Sequence, residues 1–167
     1  MVVGVHGPDM HPRAAEFSER AREEYGLDLA VEEFPEGTKT AADAAEALDC
    51  DVAQIASSIV FTTADEPVVV ITSGANRASE SKLAEVLGVD PDAVGMADPG
   101  EVREAVGYSI GGVPPFCHDG DVPTYMDEDL LAHETVWAAA GTPEAVFPIE
   151  PERLREVANA EPADVAE

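Results

Sequence analysis

The stretch Gly107-Tyr108-Ser109-Ile110-Gly111-Gly112-Val113-Pro114-Pro115-Phe116 carries three glycines and two prolines in ten residues. Neither a regular helix nor a central strand accommodates that composition, because proline lacks the N–H that both need and clashes inside a helix. Proline locks φ and glycine permits φ values closed to other residues, so the segment reads as a loop of fixed shape. Ile110, Val113 and Phe116 anchor it on a core. Gly111 and Gly112 let another molecule approach the main chain, with bare N–H groups available to an oxygen. A tight turn between two elements has the same composition, and the residues alone leave both readings open.

Working outward, Asp98-Pro99 starts a helix that runs through Val106 into this loop. Upstream, Pro12 opens a helix with Ala14, Ala15, Phe17, Ala21 and Tyr25 on one face, closed by Gly26. Residues 27–34 alternate hydrophobic with acidic, as a half-exposed strand does. Thr38 or Thr40 caps a helix to Leu48, and Asp51 opens a short helix through Ala56. Residues 55–62 and 67–72 read as buried strands joined by Asp65-Glu66. Ser79 caps a helix whose Leu83, Val86 and Leu87 point inward. Further strands are expected at 94–96, 122–126, 135–137 and 145–149, with a closing helix from Pro151 to Ala158. Helices and strands interleave irregularly, which predicts an α+β fold with a mixed, strongly curved, barrel-like sheet surrounded by helices.

The chain is 167 residues long and 45% hydrophobic, enough for one domain with a sizeable core. Residues 1–10 are expected to be a loose extension and 159–167 a frayed acidic tail. No apolar run approaches the ~20 residues of a membrane span, and the expected location is the cytoplasm. Charge is extreme: 35 Asp+Glu against 9 Lys+Arg, a net of −26. Acids spread along the whole chain predict a halophilic protein rather than one seeking basic partners. That charge opposes nucleic-acid binding through phosphates. At about 1 M salt, however, the screening length falls to about 3 Å, and recognition by stacking and short hydrogen bonds remains. Cys50 and Cys117 form no C-x-x-C pair, so no disulfide is expected. Cys117, His118, Asp119, Asp121 and His133 lack zinc spacing, and neither metal nor cofactor is expected. A Ser-His-Asp hydrolase built from Ser57 or Ser109, His118 or His133, and Asp127 would lack the G-x-S-x-G elbow. A monomer or weak dimer is expected.

The loop, with its G-x-x-x-P from Gly111 to Pro115, resembles that of the YbaK/prolyl-tRNA-synthetase-associated family of aminoacyl-tRNA editing domains. Residues 73–88, SGANRASESKLAEVLG, resemble the family's strand–turn–helix, and Tyr125-Met126-Asp127 its later strand end. The likeness runs from about Pro12 to about Val157. It implies the same α+β fold and a free-standing deacylase that hydrolyses mischarged aminoacyl-tRNA at the acceptor end.

By that resemblance Gly111, Gly112 and Val113 supply oxyanion N–H donors, and Tyr108, Pro115 and Phe116 line the substrate site. Tyr108 and Phe116 are candidates to stack on the terminal adenine. Asn76, Arg77, Lys82 and Asp127 are further binding candidates, Arg77 for a terminal phosphate. The family usually carries a lysine in x-Lys-Ser/Thr-Leu-Val, and here Ala56-Ser57-Ser58-Ile59-Val60 puts Ser57 in its place. Lys82 or Lys39 could replace that cation, Ser57 with a water could serve, or the site could bind without hydrolysing. Ser57, the 111–115 loop and Asp127 are expected to border one cleft.

Overall fold

The computed structural model describes residues 12–33, 40–63, 66–108, 112–118, 122–142 and 145–166. Helix α1 (Pro12–Tyr25) buries Ala14, Phe17, Ser18 and Ala21, the i, i+3, i+4, i+7 face of an amphipathic helix. Ala15 lies outside that face and is exposed, and Tyr25, at the face's last position, is exposed as well. The predicted strand over 27–34 shortens to β1 (Glu32–Glu33). Leu29 and Val31 are buried all the same; they pack on the core without joining the ladder.

Local capping sets the next boundaries. Thr40 and Asp43 exchange side-chain and backbone hydrogen bonds at the start of α2 (Ala41–Leu48). The turn Val52–Gln54 is 3₁₀ rather than a helix through Ala56. Strands β2 (Ile55–Thr63) and β3 (Glu66–Ser73) pair antiparallel from Ala56↔Ser73 to Thr63↔Glu66. Ser79 caps α3 (Glu80–Leu87), where Leu83 is buried but Val86 is exposed, contrary to expectation. There follow β4 (Val94–Met96), α4 (Pro99–Val106), β5 (Thr124–Asp127), β6 (Val136–Ala139), β7 (Ala145–Ile149) and α5 (Pro151–Ala158).

The last element, β8 (Glu161–Ala163), corrects the frayed tail. It pairs parallel with β5, and Val165 and Ala166 behind it are buried. Apolar residues hidden among acids anchor the segment.

The sheet runs β1-β7-β6-β2-β3-β5-β8, with β4 pairing β2 off that path. It mixes antiparallel pairs (β2/β3, β6/β7) with parallel ones (β2/β6, β3/β5, β5/β8). The α+β, mixed-sheet expectation stands, but the sheet is open, since β1 and β8 at its ends do not pair. Alternation along β3 feeds two cores on opposite faces. Val69 and Ile71 join the larger one with Phe17, Val113, Phe116 and Phe147. Val68 and Val70 join the smaller one with Phe61 and Leu83.

Candidate functional site

Strand β2 is where the sheet opens. On its outer edge β6 pairs at Ile55 and Ala56, while β4 pairs at Phe61 to Thr63. Ala97 N–H also donates to Val60 O at 3.0 Å. Ser57, Ser58 and Ile59 therefore span a gap between two neighbouring strands, where main chain and side chains can meet a ligand. Ala56 and Val60 belong to the larger core, which also receives Val113 and Phe116 of the loop. By alternation Ser58 points to that side and Ser57 to the other, with Ile59 and Phe61. Ser58 Oγ is buried without a hydrogen-bond partner among the described residues. An orphaned hydroxyl of this kind carries a desolvation cost that a ligand or water would relieve.

The loop is gripped from α1. Helix α4 ends on Gly107 at φ 84°, and Arg13 Nη2 donates to Gly107 O. The Arg13 guanidinium carbon lies 4.6 Å from the centroid of the Tyr108 ring, a cation–π contact. Arg20 Nη1 donates to Tyr108 Oη at 3.3 Å and Arg20 Nε to Glu24 Oε2 at 3.2 Å. Burial works against the Arg20 charge, but Tyr108 and Glu24 outweigh it and its pKa is raised. Burial pushes the Tyr108 hydroxyl up, against the opposing pull of Arg20. Gly141, at φ 92°, completes the contact: a Cβ there would meet Arg13 O at 2.8 Å and Tyr108 Cε1 at 3.3 Å.

Gly112, Val113, Pro115 and Phe116 are buried. Phe116 packs on Phe17 and Phe147 with centroids 5.3 and 5.7 Å apart. Tyr108 is 1% and Phe116 2% exposed, so neither offers a ring to an adenine; both are core residues that shape the loop. Gly111 lies outside the described residues, as does Lys39. Beyond Phe116, Cys117 takes φ 64°, and burial with nearby Glu24 pushes its thiol up to about 12. A thiol so placed stays neutral at pH 7 and is no nucleophile.

Asp127 is 1% exposed and caps the 3₁₀ turn Glu128–Ala132. Its Oδ2 accepts from Ser73 N–H at 3.3 Å and from Asn76 Nδ2 at 2.8 Å, and its Oδ1 from Asp129 N–H at 3.0 Å. Asn76 Nδ2 also donates to Asp129 Oδ2 at 2.8 Å. Asp127 and Asn76 thus hold the 73–77 turn, while the adjacent Arg77 is exposed. Lys82 Nζ contacts Asp164 Oδ1 at 3.0 Å and Ala166 O at 2.7 Å, which ties it to the C-terminal segment.

A scan against family models matches residues 35–157 to the "aminoacyl-tRNA editing domain". The chain belongs to that family. It is accordingly an editing hydrolase acting on mischarged aminoacyl-tRNA rather than a bare binding module. A crystal structure of a proposed trans-editing enzyme for prolyl-tRNA synthetase superposes with TM-score 0.88 at 39% identity, covering 95% of this chain and 99% of that one. The protein YwhH of Bacillus subtilis (strain 168) is 30% identical over 127 residues, 75% of this chain and 79% of that protein. The proline–tRNA ligase of Leuconostoc mesenteroides is 33% identical over 116 residues, 69% of this chain but 20% of the ligase.

Within this editing domain no Ser-His-Asp triad forms among the described residues. Asp127 is engaged as above, and His118 Nε2–H donates to Pro114 O at 2.7 Å. Sequence reasoning missed Arg13 and Arg20 as loop anchors, although their spacing of seven puts both on one helix face. Nothing in the local sequence distinguishes Ser58 from Ser57; its orphaned hydroxyl follows from burial in the fold. Among the described residues no helix is long and apolar enough to cross a membrane.

Proposed function

We propose that this chain is a free-standing deacylase, acting in the cytoplasm on tRNA for proline that carries a wrong amino acid. The observation that carries this reading is that Val113 and Phe116 of the buried 112–117 segment share a core with Ala56 and Val60, which flank the gap at Ser57–Ile59. In the proposed reaction a water oxygen attacks the ester carbonyl and the negative charge develops on the carbonyl oxygen. N–H groups of Gly111, Gly112 and Val113 receive that charge. The ester C–O bond then breaks, one of the water's protons goes to the departing ribose oxygen and the other to solvent, and the amino acid departs as a carboxylate. Ser58, on the loop's side of β2, and the main chain of Ser57 border the gap where that water sits, Pro115 stiffens the pocket, and Arg77 meets an acceptor-end phosphate. The likeness to prolyl editing proteins supports the choice of tRNA. The acidic surface is an adaptation to molar salt, and the protein is a monomer or weak dimer.

The test is deacylation by the purified chain in molar KCl, against tRNA for proline mischarged with several small amino acids and against other mischarged tRNAs. Release of amino acid from mischarged tRNA for proline, without any synthetase present, is the expected result. Hydrolysis confined to another tRNA would overturn the substrate assignment. The Gly112→Val variant, which crowds the backbone facing the ester, should lose about 10²-fold in kcat.

A further inference from the structure

A cavity of about 310 Å³ opens on the outer side of the loop, between the ends of α1 and α5 and the start of β5. Glu24, Tyr25, Phe116, His118, Thr124 and Asn159 are among its lining residues. Tyr25 is one of the few large apolar side chains left exposed, at 37%. Its ring stands edge-on to Phe116, with centroids 5.5 Å apart at 73°, so that Phe116 braces it upright. Around this ring sit hydrogen-bonding groups: the Glu24 carboxylate, the Asn159 amide and the Thr124 hydroxyl. Arg20 holds Glu24 through Oε2, which orients the carboxylate and leaves its other oxygen to accept. The volume is at the small end of ligand pockets, suited to one planar heterocycle.

Resting on the deacylase reading, we propose that this cavity holds one unstacked base of the acceptor end, the cytosine that precedes the terminal adenosine. Tyr25 stacks on it and Glu24 accepts from its exocyclic amine. Three observations select a base over other ligands. A carboxylate in the wall repels phosphates and free acids but accepts from an amine, and cytosine N4 is a partner that Glu takes. Single-stranded RNA is bound chiefly through splayed bases stacked on aromatic rings. With 9 Lys+Arg against 35 Asp+Glu, this chain has little means to hold a strand by its phosphates. Position selects the acceptor end, because the cavity wall is the same segment that forms the proposed ester site. His118, hydrogen-bonded to Pro114 O, joins the two directly. A strand end bound at that segment therefore has Tyr25 beside it.

The experiment compares mischarged tRNA with 3′-aminoacyl-adenosine, which lacks that cytosine, as substrates of wild type, Tyr25→Ala, Tyr25→Phe and Glu24→Gln. Tyr25→Ala and Glu24→Gln should raise KM for the tRNA on the order of tenfold, with kcat unchanged. Tyr25→Phe should behave as wild type, and all four should treat aminoacyl-adenosine alike. A tRNA made abasic at that cytosine should lose the same factor with wild type and nothing more with Tyr25→Ala. An unchanged KM in Tyr25→Ala would overturn the assignment. So would equal loss on both substrates, which would mean damage to the loop through Phe116. Wild type that hydrolyses neither substrate would instead overturn the deacylase reading. Binding of the dinucleotide CpA then decides the cavity by itself: amide shifts at Tyr25 and Asn159 uphold it, and their absence sinks it.

Discussion

The loop segment 112–117 and the turn Ser73–Arg77 both carry residues proposed to face the substrate, yet they are held by opposite means. The first is fastened by apolar burial, through Val113 and Phe116 in a core that includes Phe17 and Phe147. The second is fastened by hydrogen bonds, with Asp127 taking N–H groups from Ser73, Asn76 and Asp129. In a chain with 9 basic residues and 35 acidic ones, the buried carboxylate of Asp127 is met by amide N–H groups instead of by a cation. Arg13 and Arg20 converge instead on Gly107 and Tyr108, where the loop begins. Such clamps differ in what breaks them, and the following substitutions separate the two.

Phe17→Ala should have the largest effect. The ring is fully buried and touches Tyr108, Phe116 and Phe147, so its loss removes transfer energy and leaves a cavity behind the loop. A loss of about 3–5 kcal/mol is expected, read by urea unfolding in molar KCl. Asp127→Ala should cost less, about 1–3 kcal/mol, because it strands the Ser73 and Asn76 donors that the carboxylate accepts. If Asp127→Ala proved the more damaging of the two, the polar clamp rather than the aromatic core would be the main fastening of the site. Asp127→Asn should recover part of the loss, since its amide oxygen still accepts.

Those two positions also show how far the sequence could be read. Phe17 was assigned to the core because helical spacing is a local signal. Capping residues such as Thr40, Ser79 and Asp98 were legible for the same reason, as their partners lie three residues away. At Asp127 the sequence leaves a cap on the next turn and a substrate contact equally open, because its partners Ser73 and Asn76 are more than fifty residues away. The partners of Lys82, Asp164 and Ala166, are farther off still, so the sequence leaves it open between a surface cation and a site residue. Strand β8 was hidden by acidic residues and Pro162, which an edge strand tolerates. In the site, composition marked the loop, but the gap at Ser57–Ile59 follows from which strands flank β2. No local pattern encodes that.

A third test concerns pH and the loop. Burial pushes the Cys117 thiol from an ordinary 9.0 to about 12. The folded state therefore keeps the proton where the unfolded chain has released it. Between those values the unfolded chain binds fewer protons, so stability falls as pH rises above about 9 and is unaffected below. Cys117→Ala should flatten the decline between pH 9 and 11, with the part due to Tyr108, also raised by burial, remaining. An unchanged slope in Cys117→Ala would mean that the loop opens to water before the thiol titrates, and that apolar burial does not fasten it.

The smallest effect is expected at Lys82. Its ion pair with Asp164 is formed by side chains 41% and 65% exposed, where Coulomb attraction is weak and salt screens it further. Exposed pairs of this kind contribute about 0–1 kcal/mol, and the hydrogen bond to Ala166 O adds a single neutral acceptor. Lys82→Ala should accordingly shift stability by under about 1 kcal/mol and leave kcat and KM for mischarged tRNA unchanged. Asp164→Asn should do the same. Arg77→Ala, five residues earlier and exposed, should instead raise KM while leaving stability alone, because it acts on the substrate and not on the fold. If Lys82→Ala raised KM and Asp164→Asn did not, the lysine would be leaving its tail partner to reach the tRNA. The polar side of the site would then extend from the Ser73–Arg77 turn along α3. If both variants raised it, the C-terminal segment would be setting the position of that turn.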